Sequence, residues 1–190
     1  DDYDGEYRYS GTPLATLASL DRQGRVLYVG TFSKVLFPAL RLGYLVVPPA
    51  LVEPLTQLRT LGMRHSEIGT QAVLAEFIAA GHFQRHIRRM RRAARSRRDV
   101  LMRDWPTVEA GVALPQIEAG LHVCVPLASL ARERELLNKA AAVGVELSAL
   151  SEYCLAEPGQ GPLAGLVLGF AGVDEHEIAQ ALEKLRHAWR

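Results

Sequence analysis

The sequence predicts an α/β protein in two parts joined by one long helix, and three observations carry the prediction. Short apolar runs bounded by glycine and proline, at Arg25 to Gly30 and Arg41 to Val47, read as strands. Longer stretches repeat their apolar residues at helical spacing, as in Leu51, Val52, Leu55, Leu58 and Leu61. The pattern from Phe83 to Trp105, between Gly81 and Pro106, is far too long for a strand. The texture changes around this helix, which divides the chain into residues 1–90 and 91–190.

The elements follow in order. Between the first two strands lies a loop, Ser33 to Leu40, containing Pro38. Pro48 and Pro49 close the second strand, a helix spans Ala50 to Leu61, and Gly62 ends it. A second helix covers Ser66 to Ala80, with Ala72, Val73, Ala75, Phe77 and Ile78 inside. The long helix turns Phe83, Ile87, Met90, Ala94, Leu101 and Met102 inward and is otherwise rich in arginine. Beyond Pro106, strands are expected at Gly120 to Leu127, Val143 to Leu150 and Leu166 to Ala171. Helices occupy Leu130 to Ala142 and Asp174 to Trp189. Asp174 and Glu177 stand at the spacing of a capping box.

Bulk properties narrow the class. A chain of 190 residues, 48% hydrophobic and 23% charged, reads as an ordinary soluble globular protein able to bury a core. A net charge of +1 argues against nucleic-acid binding through overall charge. No apolar run approaches the roughly 20 residues of a membrane span, and no signal pattern opens the chain. Cys124 and Cys154 are far apart and read as buried, reduced thiols of a cytoplasmic protein. The opening Asp1-Asp2-Tyr3-Asp4 has no initiator methionine and looks like the end of a strand, so a fragment lacking its upstream half is expected.

One lysine stands out. Lysine is otherwise confined to Lys139 and Lys184, yet Lys34 follows Thr31-Phe32-Ser33 between two apolar runs. A partly desolvated amine is suited to capturing a carbonyl, and a surface lysine at a strand end is the alternative that composition alone leaves open. A pyridoxal phosphate site needs such an amine, a carboxylate for the pyridinium nitrogen, hydroxyls and an arginine for the phosphate, and often a phenol near the ring oxygen. The chain offers Lys34, Asp1 and Asp2, then Thr31, Ser33 and Arg41, and finally Tyr3.

These residues carry a resemblance. Thr31-Phe32-Ser33-Lys34-Val35-Leu36-Phe37-Pro38-Ala39-Leu40-Arg41-Leu42-Gly43-Tyr44 resembles the lysine motif of fold type I aminotransferases. Asp1 to Tyr9 narrows this to the MocR/GabR type of regulator, in which a winged-helix domain of the GntR kind is fused to an aminotransferase-like domain. The segments Gly81 to Arg91, Ala119 to Val123 and Leu168 to Ala171 look like the same family, so the resemblance covers essentially the whole chain.

The resemblance implies the C-terminal part of a fold type I pyridoxal 5'-phosphate-dependent aminotransferase. Residues 1–90 would be the remainder of the large-domain sheet. Residues 91–190 would be the long bridging helix and the small α/β domain. Lys34 would be the aldimine lysine, Arg41 the phosphate arginine, Asp1 the partner of the pyridinium nitrogen and Tyr3 that of the ring hydroxyl. Thr31 and Ser33 are further phosphate candidates. The function implied is a cofactor-binding effector domain responding to a small amino compound in a homodimer. DNA would be contacted only through a winged-helix domain absent from these residues. A genuine class I/II aminotransferase acting on an amino acid or amine is the alternative, and a degenerate fragment that binds nothing is a third reading.

Two departures qualify it. The family's winged helix, phosphate-cradling turn, ring-stacking aromatic and ring-oxygen asparagine lie upstream of Asp1. Val167 also stands where many aminotransferases place the arginine that grips a substrate carboxylate, which puts ordinary transamination in doubt. The arginines of the long helix read as a solvated face, because no aromatic residues interleave with them to stack on bases. His82 and His86 lack the flanking acid of a zinc-protease motif. Tyr7 and Tyr9, in the Gly5 to Gly11 stretch, read as cover for a loop, with the lining of a ligand mouth as the alternative.

Overall fold

The computed structural model describes residues 4–63, 67–155, 161 and 163–190. Residues 1–91 form one compact unit and residues 92–190 a second.

In the first unit a short helix, α1 (Leu17–Leu20), is capped by the Thr16 hydroxyl, which accepts from the Ser19 amide at 3.1 Å. The Asp21 carboxylate then gathers the amides of Gln23, Arg25 and Val26 at 2.8, 2.6 and 2.7 Å. This turn is why strand β1 covers Tyr28–Thr31 rather than beginning at Arg25: the amides of Arg25 and Val26 are already committed. Strand β2 (Gly43–Val46) pairs antiparallel with β1, Thr31 facing Gly43 and Gly30 facing Tyr44. It starts two residues later than expected because Arg41, with φ 51, closes a 3-10 turn over Pro38–Leu40.

Helix α2 (Pro49–Met63) begins on a proline, which suits the first turn. It runs through Gly62, so that glycine does not terminate it. Helix α3 (Ile68–Ala79) is capped by the Glu67 carboxylate, which accepts from the amides of Gly69 and Thr70. Helix α4 (His82–Asp104) follows Gly81, whose φ of 72 supplies the left-handed step between the two helices. Tyr7, Tyr9, Val35, Leu74 and Ile87 are buried here, whereas Tyr44, Leu45, Val46, Leu58 and Leu61 are exposed.

The second unit takes the remainder of α4, then a short α5 (Thr107–Ala110), β3 (His122–Pro126), α6 (Leu130–Ala142), β4 (Ser148–Ala149), β5 (Gly165–Gly169) and α7 (Glu175–Ala188). Its sheet is antiparallel in the order β3-β5-β4. Val125, Leu136, Leu166, Leu185 and Phe170 are its most deeply buried large side chains. Trp105 and Trp189 meet edge to face at 5.6 Å, their indole N–H groups donating to Val112 and Leu136 carbonyls. Asp174 and Glu177 form the expected capping box.

Two expectations are corrected in this unit. The strand expected over Val143 to Leu150 shrinks to Ser148–Ala149. The amides of Val143, Gly144 and Val145 turn back onto the carbonyls of Ala140 and Ala141, Gly144 taking φ 71, so those residues finish α6 instead. Residues Leu150–Tyr153 coil into a 3-10 turn. Cys124 is exposed, not buried, because β3 turns Val123 and Val125 into the core and its alternate positions outward.

Candidate cofactor site around Lys34

The β1–β2 ladder bounds the loop that carries four of the predicted residues, Thr31, Ser33, Lys34 and Arg41. Thr31 ends β1 opposite Gly43, and the next amide, of Phe32, donates to the Leu42 carbonyl at 3.1 Å. Gly43 must be small here, because a Cβ would fall 2.9 Å from the Gly30 carbonyl oxygen. This pairing puts Thr31, Ser33, Lys34 and Arg41 at one end of the hairpin. The Thr31 hydroxyl accepts from the Ser33 amide at 3.2 Å, which leaves its own proton for an outside acceptor. Lys34 and Arg41 are exposed, so the desolvation expected for Lys34 is not supplied by the described residues of this unit.

Underneath, Phe32 packs against Tyr44 at 5.4 Å and Phe83 at 6.0 Å, and Val35 is 2% exposed. The backbone is held as well. The Tyr7 phenol donates to the Lys34 carbonyl at 3.1 Å, and His86 Nε2 lies 2.7 Å from the Val35 carbonyl. Arg91 donates to the Glu6 carbonyl, tying the segment before Tyr7 to α4. Tyr7 thus covers the Lys34 loop and also holds its backbone. The pull of Arg91 is too weak to offset burial and the nearby Glu6 carboxylate, so the phenol sits above its ordinary value and stays protonated. Sequence reasoning missed His86 as well. Its only signal is its place on the first turns of α4, facing a loop 51 residues earlier.

Asp1 and Tyr3 lie outside the described residues. Tyr153 is exposed in the second unit. There Val167 sits at the centre of β5, paired with Cys124 on β3 and Ser148 on β4. In-register partners share a face, so this face carries His122, Cys124, Ser148 and Val167 and no lysine or arginine among the described strand residues. The edge beyond it is pinned by Glu133 on α6. This buried carboxylate accepts from the Ser151 hydroxyl at 2.5 Å, the Ser151 amide at 3.2 Å and the Gly165 amide at 2.7 Å. Among the described residues no group of acids, histidines and cysteines could hold a metal, and no helix is long and apolar enough to cross a membrane.

An amine, a guanidinium and two hydroxyls at one hairpin end fit a ligand bearing an aldehyde and a phosphate dianion. Comparison with known proteins agrees in fold and family. Residues 4–185 match the family Aminotransferase class I and II. The HTH-type transcriptional regulator YhdI of Bacillus subtilis is 40% identical over 100% of this chain and 40% of its own length. MocR of Rhizobium meliloti, a probable rhizopine catabolism regulatory protein, is 35% identical over 100% of this chain and 38% of its own. The kynurenine aminotransferase of Pyrococcus horikoshii, solved in complex with PMP, superimposes with a TM-score of 0.81 at 28% identity, over 98% of this chain and 46% of that one. The chain thus spans about two fifths of the regulators it matches and just under half of a fold type I enzyme. It belongs to the class I and II aminotransferase family, and within that family it resembles the aminotransferase-like part of MocR-type regulators.

Proposed function

We propose that this chain is the pyridoxal phosphate-binding effector domain of a MocR-type transcriptional regulator, with Lys34 as the point of covalent attachment. The observation that carries the reading is the hairpin end that brings Thr31, Ser33, Lys34 and Arg41 together on a chain matching the aminotransferase family from residue 4 to 185. When bound, pyridoxal phosphate supplies an aldehyde carbon that an amine captures with loss of one water, and a protonated ring that withdraws electrons.

The chain's own residues supply the rest. Lys34 Nζ is the nucleophile, and its exposure leaves it accessible to the carbonyl. Arg41 offers a planar fork of donors to a phosphate, and the Thr31 and Ser33 hydroxyls offer one proton each. Asp1 is assigned to the ring nitrogen and Tyr3 to the ring hydroxyl by their place in the motif. Residues 1–90 are assigned to the large domain, and residues 91–190 to the bridging helix and small domain. A small amino compound is the effector, exchanging with Lys34 Nζ and favouring one of two conformations. The whole protein is taken as a cytoplasmic homodimer that contacts DNA through a winged-helix domain.

The TM-score of 0.81 to an aminotransferase favours a second reading as an enzyme, in which Lys34 Nζ also moves the substrate Cα proton. The face around Val167 speaks against turnover of ordinary amino acids, because the described strand residues there include no arginine to grip a carboxylate. The test is borohydride reduction of the full-length protein with pyridoxal phosphate, followed by peptide mapping. The label is expected on Lys34 and absent in Lys34→Ala. A label that persists in that variant, or maps elsewhere, refutes the assignment.

A further inference from the structure

The exposed amine of Lys34 leaves the protein from a backbone that is fixed on both sides. Before it, the Phe32 amide donates to the Leu42 carbonyl at 3.1 Å and the Ser33 amide to the Thr31 hydroxyl at 3.2 Å. Across it, the Leu36 amide donates to the Phe32 carbonyl at 2.9 Å and closes the turn. After it, two consecutive carbonyls are held by side chains remote in sequence, Lys34 by Tyr7 at 3.1 Å and Val35 by His86 at 2.7 Å. A carbonyl can only accept, so His86 carries its proton on Nε2. An Arg89 nitrogen lies 3.4 Å from its Nδ1. Tyr7 is buried, 3% exposed, and His86 is half-buried on α4.

We propose that Tyr7 and His86 are positioning residues for the Lys34 amine: by gripping the Lys34 and Val35 carbonyls they fix the direction in which the lysine side chain leaves its loop. Holding these two carbonyls fixes the peptide planes on either side of Val35, and with the bonds of Phe32 and Ser33 before it this narrows the directions open to the Lys34 Cα–Cβ bond. Neither side chain needs to touch the cofactor. The inference rests on Lys34 being the attachment point.

The experiment uses the full-length protein and the variants Tyr7→Phe, His86→Leu and His86→Gln. The first removes one hydroxyl, the second removes a donor, and the third returns an N–H on a side chain of similar reach. Loss of one hydrogen bond of about 1 kcal/mol corresponds to about a fivefold change in an equilibrium. In cofactor-free protein, amide exchange at residues 33–36 is expected to rise about fivefold in Tyr7→Phe and His86→Leu and to return toward wild type in His86→Gln. Unchanged exchange over residues 72–79 of α3, in the same unit, shows that the variants remain folded there. The pyridoxal phosphate concentration giving half-maximal borohydride labelling of Lys34 should rise by a similar factor and recover in the same variant. Wild-type labelling of Lys34 with exchange or labelling unaltered in the variants overturns the positioning role. No labelling of Lys34 in the wild type overturns the functional assignment instead, and the exchange rates still decide whether the clamp holds the loop.

Discussion

Glu133 is the buried charge on which the second unit depends most directly. Its carboxylate is 2% exposed and accepts three hydrogen bonds, from the Ser151 hydroxyl, the Ser151 amide and the Gly165 amide. Glu133→Ala strands the two amides without an acceptor, at about 1–3 kcal/mol each, and relief of the desolvated charge recovers part of that. The expected net loss is about 3 kcal/mol, or roughly 6–12 °C in midpoint for a chain of this size. Glu133→Gln keeps the volume and one oxygen, so about half that loss is expected. Both tryptophans, Trp105 and Trp189, lie in this unit, so urea unfolding followed by tryptophan fluorescence reports on it selectively. Burial alone would raise this carboxyl, but donation by the Ser151 hydroxyl and the Gly165 and Ser151 amides outweighs it and holds the group below its ordinary range. A depressed carboxyl contributes stability above its unfolded value and loses it as pH falls through the folded value. The gap between wild type and Glu133→Gln should therefore be widest near neutrality and close below about pH 4. An alanine variant within about 0.5 kcal/mol of wild type, or a gap that widens in acid, defeats this reasoning.

Two further perturbations separate stability from ligand binding. Arg41 holds a left-handed backbone with φ 51, which costs a non-glycine residue about 1 kcal/mol. Arg41→Gly should match or exceed the wild-type melting temperature while weakening pyridoxal phosphate binding at least about tenfold, as loss of a charged hydrogen bond implies. A parallel fall in both quantities would remove Arg41 from the phosphate site. Asp174→Ala breaks the capping box of α7 and should cost about 1 kcal/mol in the same urea assay, whereas Asp174→Ser should restore most of it. Equal losses in the two variants would show that the side chain acts other than as a cap.

What the sequence disclosed follows from the range of the interactions involved. Helix α6 falls over the expected Leu130 to Ala142, and α7 keeps its Asp174 cap, because periodicity and caps are local. The strands shortened wherever an amide had a nearer acceptor. Arg25 and Val26 went to Asp21, Arg41 to Pro38, and Val143 to Val145 to the end of α6. Hydrophobic runs record burial and say little of where a backbone proton is donated. Cys124 was misplaced for a related reason: a cysteine between valines looks buried, but the period-two pleat turns it out. Lys34, Thr31, Ser33 and Arg41 were singled out by residue type and by resemblance to a lysine motif, and the β1–β2 pairing puts them at one end of a hairpin; their role with a cofactor is a proposal. Tyr7 and His86 were not legible, since their partners are carbonyls of residues 27 and 51 positions away, and a carbonyl leaves no mark in a sequence.

The contrast between the two units bears on how such a site is held. In the second unit β5 lies between two strands and is covered by α6, so burial fixes its register. The first unit has a two-stranded ladder whose β2 is exposed at every position, an arrangement of marginal stability by itself. Hydrophobic burial of the described sheet therefore cannot be what orders the Lys34 loop. The order comes from Phe32 between Tyr44 and Phe83, from Val35, and from the hydrogen bonds of Tyr7, His86 and Thr31. Hydrogen bonds fix direction as well as distance, whereas apolar contact fixes distance alone. A lysine that must present its amine to one carbon atom needs both. The strand centre at Val167 shows the complementary case, with register set by burial and no lysine or arginine among the described strand residues of its face. If Lys34 is the attachment point, substitutions at Tyr7 or His86 should therefore alter how readily Lys34 reacts without changing which amino compound is preferred.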